Sequence, residues 1–323
     1  MLCDVMIGDS PAFGHTVISN RCSVYRAGGG KRNRPSANRD DDRVALLALG
    51  RVPPGRACPH DASPPNPAAR KETNGDGNSM RVTKDFLRGR GRNGLTQAEK
   101  DVLEGAVERI EHLPARRIVT RRGEPVTNST LLLDGVMCRY MDARDGFRQL
   151  VALQLTGDFV DLHGYPLRRL DHDVGTLTEA RVAIIPHARI DKILIDHPHL
   201  ARLLWRSTLL DAALHREWIF RIGRLDAAGR LAHFLLETYH RLRAVGAADG
   251  NAFDFALTQQ DLGEALGLTS VHVNRMLRRL REGGMAEFAR GVVRITDHDR
   301  LARLGEFDPD YLYLETGTWN RDD

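Results

Sequence analysis

The chain has 323 residues, of which 41% are hydrophobic and 28% charged, and its net charge is +4. This length and composition suit a globular protein of two domains. The nearly balanced charge excludes a chain that is basic throughout, so binding to nucleic acid would require a local basic surface. The sequence has no apolar run long enough to cross a bilayer, no signal peptide and no C-x-x-C pair among its four cysteines. We therefore expect a cytoplasmic protein with reduced thiols.

Residues 1–79 differ from the rest of the chain in composition. They hold eight of the fourteen prolines, together with a Gly-Gly-Gly run and an Asp-Asp-Asp run. Such a segment cannot bury enough apolar surface to offset its chain entropy, so we predict a disordered extension. Two functional interpretations are a basic tail that contacts DNA and a metal site built from its cysteines. A simpler alternative is that Met80 is the natural start.

The next predicted element is a helix from Leu95 to about Leu113. Thr96 is a cap residue, and Glu99 occupies the capping-box position three residues later. Apolar residues then recur at helical spacing. These residues are Val102, Leu103, Ala106, Val107 and Ile110. The helix opens a domain that we predict to span residues 95–196.

From Ile118 onward the apolar pattern changes to the period of two that is typical of strands. The predicted strands lie at 117–120, 131–133, 136–140, 149–155, 176–180 and 182–186. Glycine-containing turns separate several of them, at Gly123, Gly135 and Gly157. Short strands at regular intervals predict a small antiparallel β-roll, which would complete the domain at 95–196.

Residues 197–225 predict one long helix, since helix breakers are almost absent after Pro198. Apolar residues recur along it at mixed spacings of three and four, which suit a partner helix. They are Leu200, Leu203, Leu204, Leu210, Leu214, Trp218 and Ile222. We interpret the segment as a dimerisation helix. The alternative is a helix that packs on the β-roll of its own chain, and different faces of one helix can do both.

Residues 226–304 predict a DNA-binding domain. Asp226 caps a helix that runs from Ala227 to about Val245. The domain is followed by a predicted acidic tail at 305–323, because residues 297–323 hold eight acids and only three arginines.

Within this domain, local signals outline a winged helix-turn-helix. Thr258 caps a short helix with Asp261 at the capping-box position, and Gly267 breaks that helix. Thr269 then caps a second helix that runs to about Glu282, and alternating residues after a turn glycine predict a short hairpin. Two short helices, a tight turn and a hairpin in this order predict a DNA-binding motif.

The second helix of the motif carries the residues that predict DNA contacts. An α-helix fits the major groove, where residues near its N-terminus face base edges. We predict that Arg275 donates two hydrogen bonds to a guanine and that Arg278 and Arg279 contact phosphates. Further predicted contact residues are Thr258, Gln259, Ser270, Val271, His272 and Asn274. The alternative interpretation is a solvated amphipathic helix with ordinary arginines.

The stretch TQQDLGEALGLTSVHVNRMLRRL, residues 258–280, resembles the helix-turn-helix of the Crp/Fnr transcription regulators, and LDAAGRLA, residues 225–232, resembles the start of that family's DNA-binding domain. The similarity extends more loosely back to about Leu95. It implies an α+β architecture with a cyclic-nucleotide-binding-like β-roll. It also implies a homodimer on a palindromic site in double-stranded DNA, RNA polymerase as a partner, and no membrane. Ser270-Val271 stand where the two well-known branches have Arg-Glu or Val-Glu, which leaves the operator sequence open.

The resemblance also locates an effector pocket, which we predict to include Gly157, Asp158, Asp161, Arg168 and Arg169. In family members that bind cyclic AMP, a Gly-Glu pair meets the ribose and an Arg-Ser pair about ten residues later holds the phosphate. Here Asp161 falls at the Glu position, and carboxylates replace the Arg-Ser pair. Because carboxylates would repel a cyclic phosphate, we predict an effector other than cyclic AMP, of unknown identity.

No cofactor and no enzymatic activity are predicted. Ala183 stands near the last cysteine position of the family's oxygen-sensing branch, and the N-terminal cysteines lack the close spacing of an iron–sulfur site. Candidate haem ligands are His163, His172 and His187, but only because any histidine can bind haem iron. The sequence contains no phosphate-binding loop or H-E-x-x-H motif. The remaining alternatives are a ligand-binding regulatory module that acts through protein partners and a haem or redox sensor; a steep salt dependence would distinguish DNA binding.

Overall fold

The structure, a computed structural model, describes residues 81–91 and 94–315. The prediction of a disordered extension at 1–79 falls outside these ranges. The described residues form a β-roll, then a long helix, then a winged helix-turn-helix, so the predicted α+β fold class is confirmed. No helix in these ranges combines the length and apolar character needed to span a membrane.

The β-roll contains seven strands in two antiparallel sheets. The strands are β1 (Arg109–Leu113), β2 (Ile118–Thr120), β3 (Asn128–Asp134), β4 (Met137–Asp142), β5 (Arg148–Gln154), β6 (Asp173–Thr176) and β7 (Ala180–Pro186). Their order is β1-β7-β3 in one sheet and β2-β6-β4-β5 in the other. Leu132 and Val182 of the first sheet join Met137 and Val174 of the second in one buried apolar cluster. This cluster is the interior of the roll.

The first helix is shorter than predicted. α1 spans Gln97–Gly105, and Thr96 and Glu99 form the predicted capping box. The predicted continuation to Leu113 is wrong, because the following residues pair with β7 as strand β1. Ile110, which fits the apolar face of the predicted helix, is half exposed on this strand. The strand predicted at 176–180 also lies earlier, as β6 at 173–176.

Three helices follow within or after the roll: α2 (Gly164–Leu167), α3 (His187–Asp196) and α4 (Pro198–Arg224). α4 is the predicted long helix, and Pro198 occupies its first turn. A proline is tolerated there because the N–H groups of the first turn have no acceptor within the helix. Most of its predicted apolar stripe is buried against the chain itself. The buried members are Leu200, Leu203, Leu204, Leu210 and Trp218. These residues therefore pack within their own chain, which was the alternative to contact with a partner helix.

A different face of α4 carries exposed apolar residues. They are Trp205, Leu209, Ile219 and Phe220, and we call this face the α4 seam. Trp205 is 63% exposed and Ile219 is 73% exposed, although large apolar side chains are usually covered. An apolar stripe of this kind along a helix marks a surface for another molecule.

The DNA-binding half contains four helices and a small sheet. The helices are α5 (Ala227–Ala244), α6 (Gln259–Leu266), α7 (Ser270–Glu282) and α8 (His298–Gly305). The strands are β8 (Ala248–Asp249), β9 (Ala252–Asp254), β10 (Ala286–Ala289) and β11 (Val292–Ile295), in the order β10-β11-β9-β8. Asp226 caps α5 as predicted, by accepting from the Gly229 N–H. The hairpin β10–β11 is the predicted wing.

The first half of the predicted acidic tail is packed against the molecule. A 3₁₀ turn at Pro309–Leu312 follows α8, and Phe307 and Leu312 are buried. The side chain of Glu315 accepts a hydrogen bond from the Gly91 N–H at 2.8 Å. Residues up to 315 therefore belong to the folded body, which the acid-rich composition did not predict.

A buried carboxylate ties α4, α5 and this C-terminal turn together. Glu237 of α5 accepts from Trp218 Nε1 of α4 and from the Tyr311 hydroxyl, each at 3.0 Å. Burial alone would raise the pKa of Glu237, but the nearby Arg221 and Arg241 guanidinium groups hold it below its usual range. The carboxylate is therefore ionised, and its bonds fix how α5 leaves the end of α4.

Candidate nucleic-acid interface

The first helix of the motif begins at the predicted capping box. The Thr258 backbone N–H and hydroxyl both donate to Asp261 Oδ2 at 2.7 Å, and the Asp261 N–H donates to Thr258 Oγ1 at 3.2 Å. α6 ends at Gly267, which has φ +65 and ψ +40. This left-handed conformation favours glycine and turns the chain sharply towards α7.

α7 begins where the sequence predicts. Thr269 Oγ1 accepts from the His272 N–H at 3.3 Å and caps the helix. Val273, Met276 and Leu280 are buried along one face and join an apolar cluster that also includes Tyr140 and Leu150 of the β-roll. One face of α7 is therefore held rigidly, and the other is left to solvent.

The exposed face of α7 carries all the predicted contact residues of this helix. They are Ser270, Val271, His272, Asn274, Arg275, Arg278 and Arg279. Val271 is 79% exposed, which is unusual for an apolar side chain and leaves its methyl groups free to pack on a partner. The structure thus brings these residues together on one surface next to Thr258 and Gln259, which are exposed at the start of α6.

The arginines on this face differ in their partners. Arg278 Nε lies 3.9 Å from Glu282 and Arg279 Nη1 lies 3.7 Å from Asp226, both at exposed positions. Exposed pairs of this length are weak and would yield to a phosphate. Among the described residues, Arg275 makes no ion pair and no side-chain hydrogen bond. Its guanidinium is therefore available to a base without breaking another contact.

The wing adds a basic residue that the sequence pattern did not predict as a DNA contact. Arg290 lies in the turn between β10 and β11, is exposed, and has φ +56. Arg294 of β11 instead donates to Asn251 Oδ1 at 3.0 Å. Arg290 is a candidate phosphate contact beside α7. Its position before the turn glycine was the only signal for it in the sequence.

An open cleft separates the start of α7 from the β-roll. Phe147 and Arg148, at the end of the β4–β5 hairpin, line one side, and Glu264, Thr269 and Ser270 line the other. The β-roll therefore stands next to the motif without covering the exposed face of α7.

The structure does not assemble the predicted effector pocket as one site. Gly157 and Asp158 line a cleft formed with α4 and α5, but Asp158 accepts a hydrogen bond from Arg241 Nη2 at 2.6 Å. Arg168 and Arg169 are exposed at the end of α2 and do not line this cleft. The prediction that these four residues share a pocket is therefore wrong, since a short helix turns the two arginines away from the loop.

Asp161, the fifth predicted pocket residue, is buried and already bonded. It accepts from the Thr130 N–H at 2.6 Å and from the Thr130 hydroxyl at 3.0 Å. Burial raises the pKa of Asp161 to about 6, although the Thr130 bonds oppose the shift. Its hydrogen bonds serve strand β3, so the carboxylate acts within the roll.

The roll holds an ion pair that the sequence did not predict. Arg139 of β4 donates from Nη1 to Asp211 Oδ2 of α4 at 2.6 Å and from Nε to the Val160 carbonyl at 2.6 Å. Two histidines lie nearby, and burial lowers the pKa of His163 to about 3 and that of His172 below its usual range. The pair joins the roll to α4.

The structure also shows the surroundings of the candidate haem and metal ligands. His187 is buried and meets the Tyr165 ring edge-on, at 5.2 Å between ring centroids. Burial raises the pKa of the Cys138 thiol to about 12, so it stays protonated at neutral pH. The other three cysteines lie outside the described residues. Within residues 81–91 and 94–315, no three histidine, cysteine or acidic side chains converge as a metal site.

Comparisons with known proteins agree with this geometry. A family profile described as the Crp-like helix-turn-helix domain matches residues 229–304. Transcriptional activator protein FnrL of Cereibacter sphaeroides is 30% identical over 203 residues, which cover 61% of this chain and 80% of FnrL. Nitrogen fixation regulation protein FixK of Bradyrhizobium diazoefficiens is 29% identical over 204 residues, covering 60% of this chain and 84% of FixK.

Among solved structures, FixK2 from Bradyrhizobium japonicum superimposes with a TM-score of 0.56. The match covers 61% of this chain and 96% of FixK2, at 23% sequence identity. At this identity the likeness shows a shared fold.

Proposed function

This chain belongs to the Crp/Fnr family of transcription regulators, and we propose that it binds a palindromic DNA site as a homodimer. The observation that carries the proposal is the exposed face of α7, where Arg275 has no partner among the described residues. This face presents an arginine and short polar side chains on a rigid helix, which is the arrangement that reads base edges in a major groove.

Within this interface, each side chain has a chemical role. Arg275 donates two hydrogen bonds to a guanine, and Val271 packs on a thymine methyl. Ser270, His272 and Asn274 adjust the preference at neighbouring base pairs. The residues that contact phosphates are Thr258, Gln259, Arg278, Arg279 and Arg290.

The α4 seam supports the proposed homodimer. Three of its residues, Trp205, Leu209 and Ile219, fall in line with three further positions of α4 at alternating spacings of four and three residues. These positions are Ala212, Arg216 and Gly223. This is the heptad spacing of two helices that pack along each other. A single charged residue in such a seam, here Arg216, favours one register at some cost in stability.

A two-fold axis along this seam would present two α7 helices to one face of the DNA. Half-sites read in this way lie about one helical turn apart, roughly 34 Å. Family membership implies RNA polymerase as the partner through which binding affects transcription.

The effector is proposed to be something other than cyclic AMP. Asp158 is bonded to Arg241 and Asp161 to Thr130, so neither carboxylate is free to meet a ribose. Arg168 and Arg169 are exposed and do not line this cleft. The arginines that do line it, Arg88, Arg90 and Arg241, each face a carboxylate of the chain, which competes with a cyclic phosphate for them.

The proposal is tested by selecting bound duplexes from a random DNA library with the full-length protein. We expect a palindromic consensus. The affinity for it should fall steeply with salt, by about 0.9 log units for each neutralised phosphate per tenfold increase in salt. Recovery of no consensus at low ionic strength would refute the proposal. A consensus bound with no salt dependence would contradict the assigned phosphate contacts.

A further inference from the structure

The β-roll and the DNA-binding half are joined by an ion pair between residues far apart in the sequence. Arg116 lies in the loop between β1 and β2. Its Nη1 and Nη2 atoms donate to the two carboxylate oxygens of Asp261 on α6, the second at 2.8 Å. Asp261 is only 2% exposed. A two-bond contact of this kind fixes direction as well as distance, because the guanidinium and carboxylate planes must align.

The same carboxylate begins the helix-turn-helix. Asp261 Oδ2 accepts from Arg116 and also from the N–H and hydroxyl of Thr258. Burial alone would raise the pKa of Asp261, but the hydrogen bonds from Arg116 and Thr258 hold it below its usual range. The carboxylate is therefore ionised at neutral pH. One side chain both caps α6 and attaches it to the β-roll.

The backbone of Arg116 is held in an unusual conformation. Its φ is +63, in the left-handed region that favours glycine. The Arg116 N–H donates to the Thr176 carbonyl of β6 at 3.1 Å, which anchors the loop to the roll. The loop therefore carries an arginine where glycine would be less strained, and the arginine side chain is what makes the contact with α6.

Any constraint on α6 passes directly to α7. The Leu268 N–H donates to the Gly263 carbonyl at 2.9 Å, and a Cβ at Gly263 would lie 2.5 Å from the Leu268 carbonyl oxygen. Asn274 Nδ2 of α7 also donates to Gln259 Oε1 of α6 at 3.3 Å. The two helices are packed too closely to move separately, so they respond as one unit.

Two further contacts hold the DNA-binding half in the same orientation. Gln149 of β5 donates to the Glu264 carbonyl of α6 at 2.7 Å. Asp158, after β5, accepts from Arg241 of α5. Arg241 Nη2 also donates to the Leu153 carbonyl of β5 at 2.8 Å. Among these contacts of the described residues, that of Arg116 alone joins two guanidinium nitrogens to both oxygens of one carboxylate.

We propose that Arg116 is a positioning residue for DNA recognition, which fixes α6, and with it α7, against the β-roll. The inference rests on the proposed function. Ser270, Val271 and Arg275 are exposed while the Arg116–Asp261 pair is made, so the contact orients the motif without covering it. Because the β-roll also carries α4, the pair sets where α7 lies relative to the dimer seam. Its effect is on the spacing at which two half-sites are bound.

The test uses the full-length protein and duplexes selected with it from a random library. Affinity is measured for the selected palindrome and for the same half-sites separated by one additional base pair. Arg116→Ala should lose about tenfold in affinity on the selected spacing and less than about threefold on the altered one. The preference for the selected spacing therefore shrinks. Arg116→Lys keeps the charge without the two-bond geometry. Its preference for the selected spacing should lie between those of the wild type and Arg116→Ala.

Arg117→Ala is the matched control, because it removes the same charge from the same loop. Among the described residues the Arg117 side chain makes no hydrogen bond or ion pair, so this variant should keep the wild-type spacing preference. The inference is overturned if Arg116→Ala keeps that preference as well. Equal losses of affinity on both duplexes for Arg116→Ala would also overturn it, because they indicate a defect within the helix-turn-helix. Tighter binding by Arg116→Ala would overturn it as well, because it indicates that the contact covers the DNA-binding face. If the wild-type protein selects no palindrome, the proposed function itself fails.

Discussion

Replacing Ile219 by serine is expected to weaken the proposed homodimer. Ile219 lies on the α4 seam and is 73% exposed in the single chain. A partner helix packed along the seam would cover this side chain, and a serine in its place would remove the apolar surface and bury a hydroxyl. In the proposed homodimer, a two-fold axis places the same residue on both protomers, so one substitution acts twice.

The magnitude follows from the area that the partner would cover. Full burial of an isoleucine side chain contributes about 1.5–3 kcal/mol. With 73% of Ile219 available, each protomer would lose roughly 1–2 kcal/mol and the dimer roughly 2–4 kcal/mol. At about 1.4 kcal/mol for each factor of ten, the dissociation constant of the dimer should rise by roughly 30- to 700-fold.

Sedimentation equilibrium of the full-length protein over a range of concentrations measures this constant. Ile195→Ser is the matched control, since Ile195 is 77% exposed but lies at the end of α3, outside the seam. The control should leave the dimer unchanged. If Ile219→Ser dimerises as tightly as wild type, or if both variants weaken the dimer equally, the assignment of the seam is refuted.

Three further predictions concern single side chains. Arg275→Ala should remove about 1–3 kcal/mol of discrimination at one base pair, whereas Arg278→Ala should weaken all sequences alike; competition with single-base variants separates the two, and equal losses on specific and random DNA for Arg275→Ala would contradict the assignment. Thr269→Ala removes the cap of α7 and should lower the free energy of unfolding by about 1 kcal/mol, while Thr269→Ser should retain it; indistinguishable denaturation curves for the two variants would argue against the cap. Burial raises the pKa of Asp161 to about 6, so its contribution to stability is present below about pH 4, near its unfolded pKa, and is lost as pH rises through about 6. Asp161→Asn should flatten the dependence of urea stability on pH across that window, and an unchanged slope would disprove the shift.

The helix-turn-helix could be predicted closely because its signals are local. Thr258, Asp261, Gly267 and Thr269 act within four residues of their own positions, through caps and a left-handed turn. The observed bounds of α6 and α7 agree with the prediction from these residues. The exposed face of α7 follows from the same pattern, since the buried residues fix which side is left to solvent.

Strand β1 could not be predicted in the same way. Its residues continue an apolar spacing that suits a helix, and Ile110 fits that helix as well as it fits the strand. Pairing with β7, in which Ile110 lies opposite Ala183, makes this segment a strand. Strand preference depends on such neighbours more than on the residues themselves.

The α4 seam was also missed, although the helix itself was predicted. Apolar residues occur on several faces of α4, and spacing alone cannot tell which face the chain covers. The predicted stripe included Leu200 and Trp218, which are buried within the chain, whereas Trp205 and Ile219 are exposed. Only the packed structure separates the face used internally from the face left for a partner.

The contacts across the two halves of the protein lead to a consequence for DNA recognition. The position of α7 relative to the α4 seam depends on Asp158 with Arg241 and on Arg116 with Asp261. In a symmetric dimer, a displacement of about 1 Å in each protomer changes the separation of the two α7 helices by up to about 2 Å, more than half of the roughly 3.4 Å rise per base pair. Half-site spacing should therefore be sensitive to residues of the β-roll that never contact DNA. Substitutions that alter the preferred spacing are then expected at these joints, while substitutions on α7 alter the preferred bases.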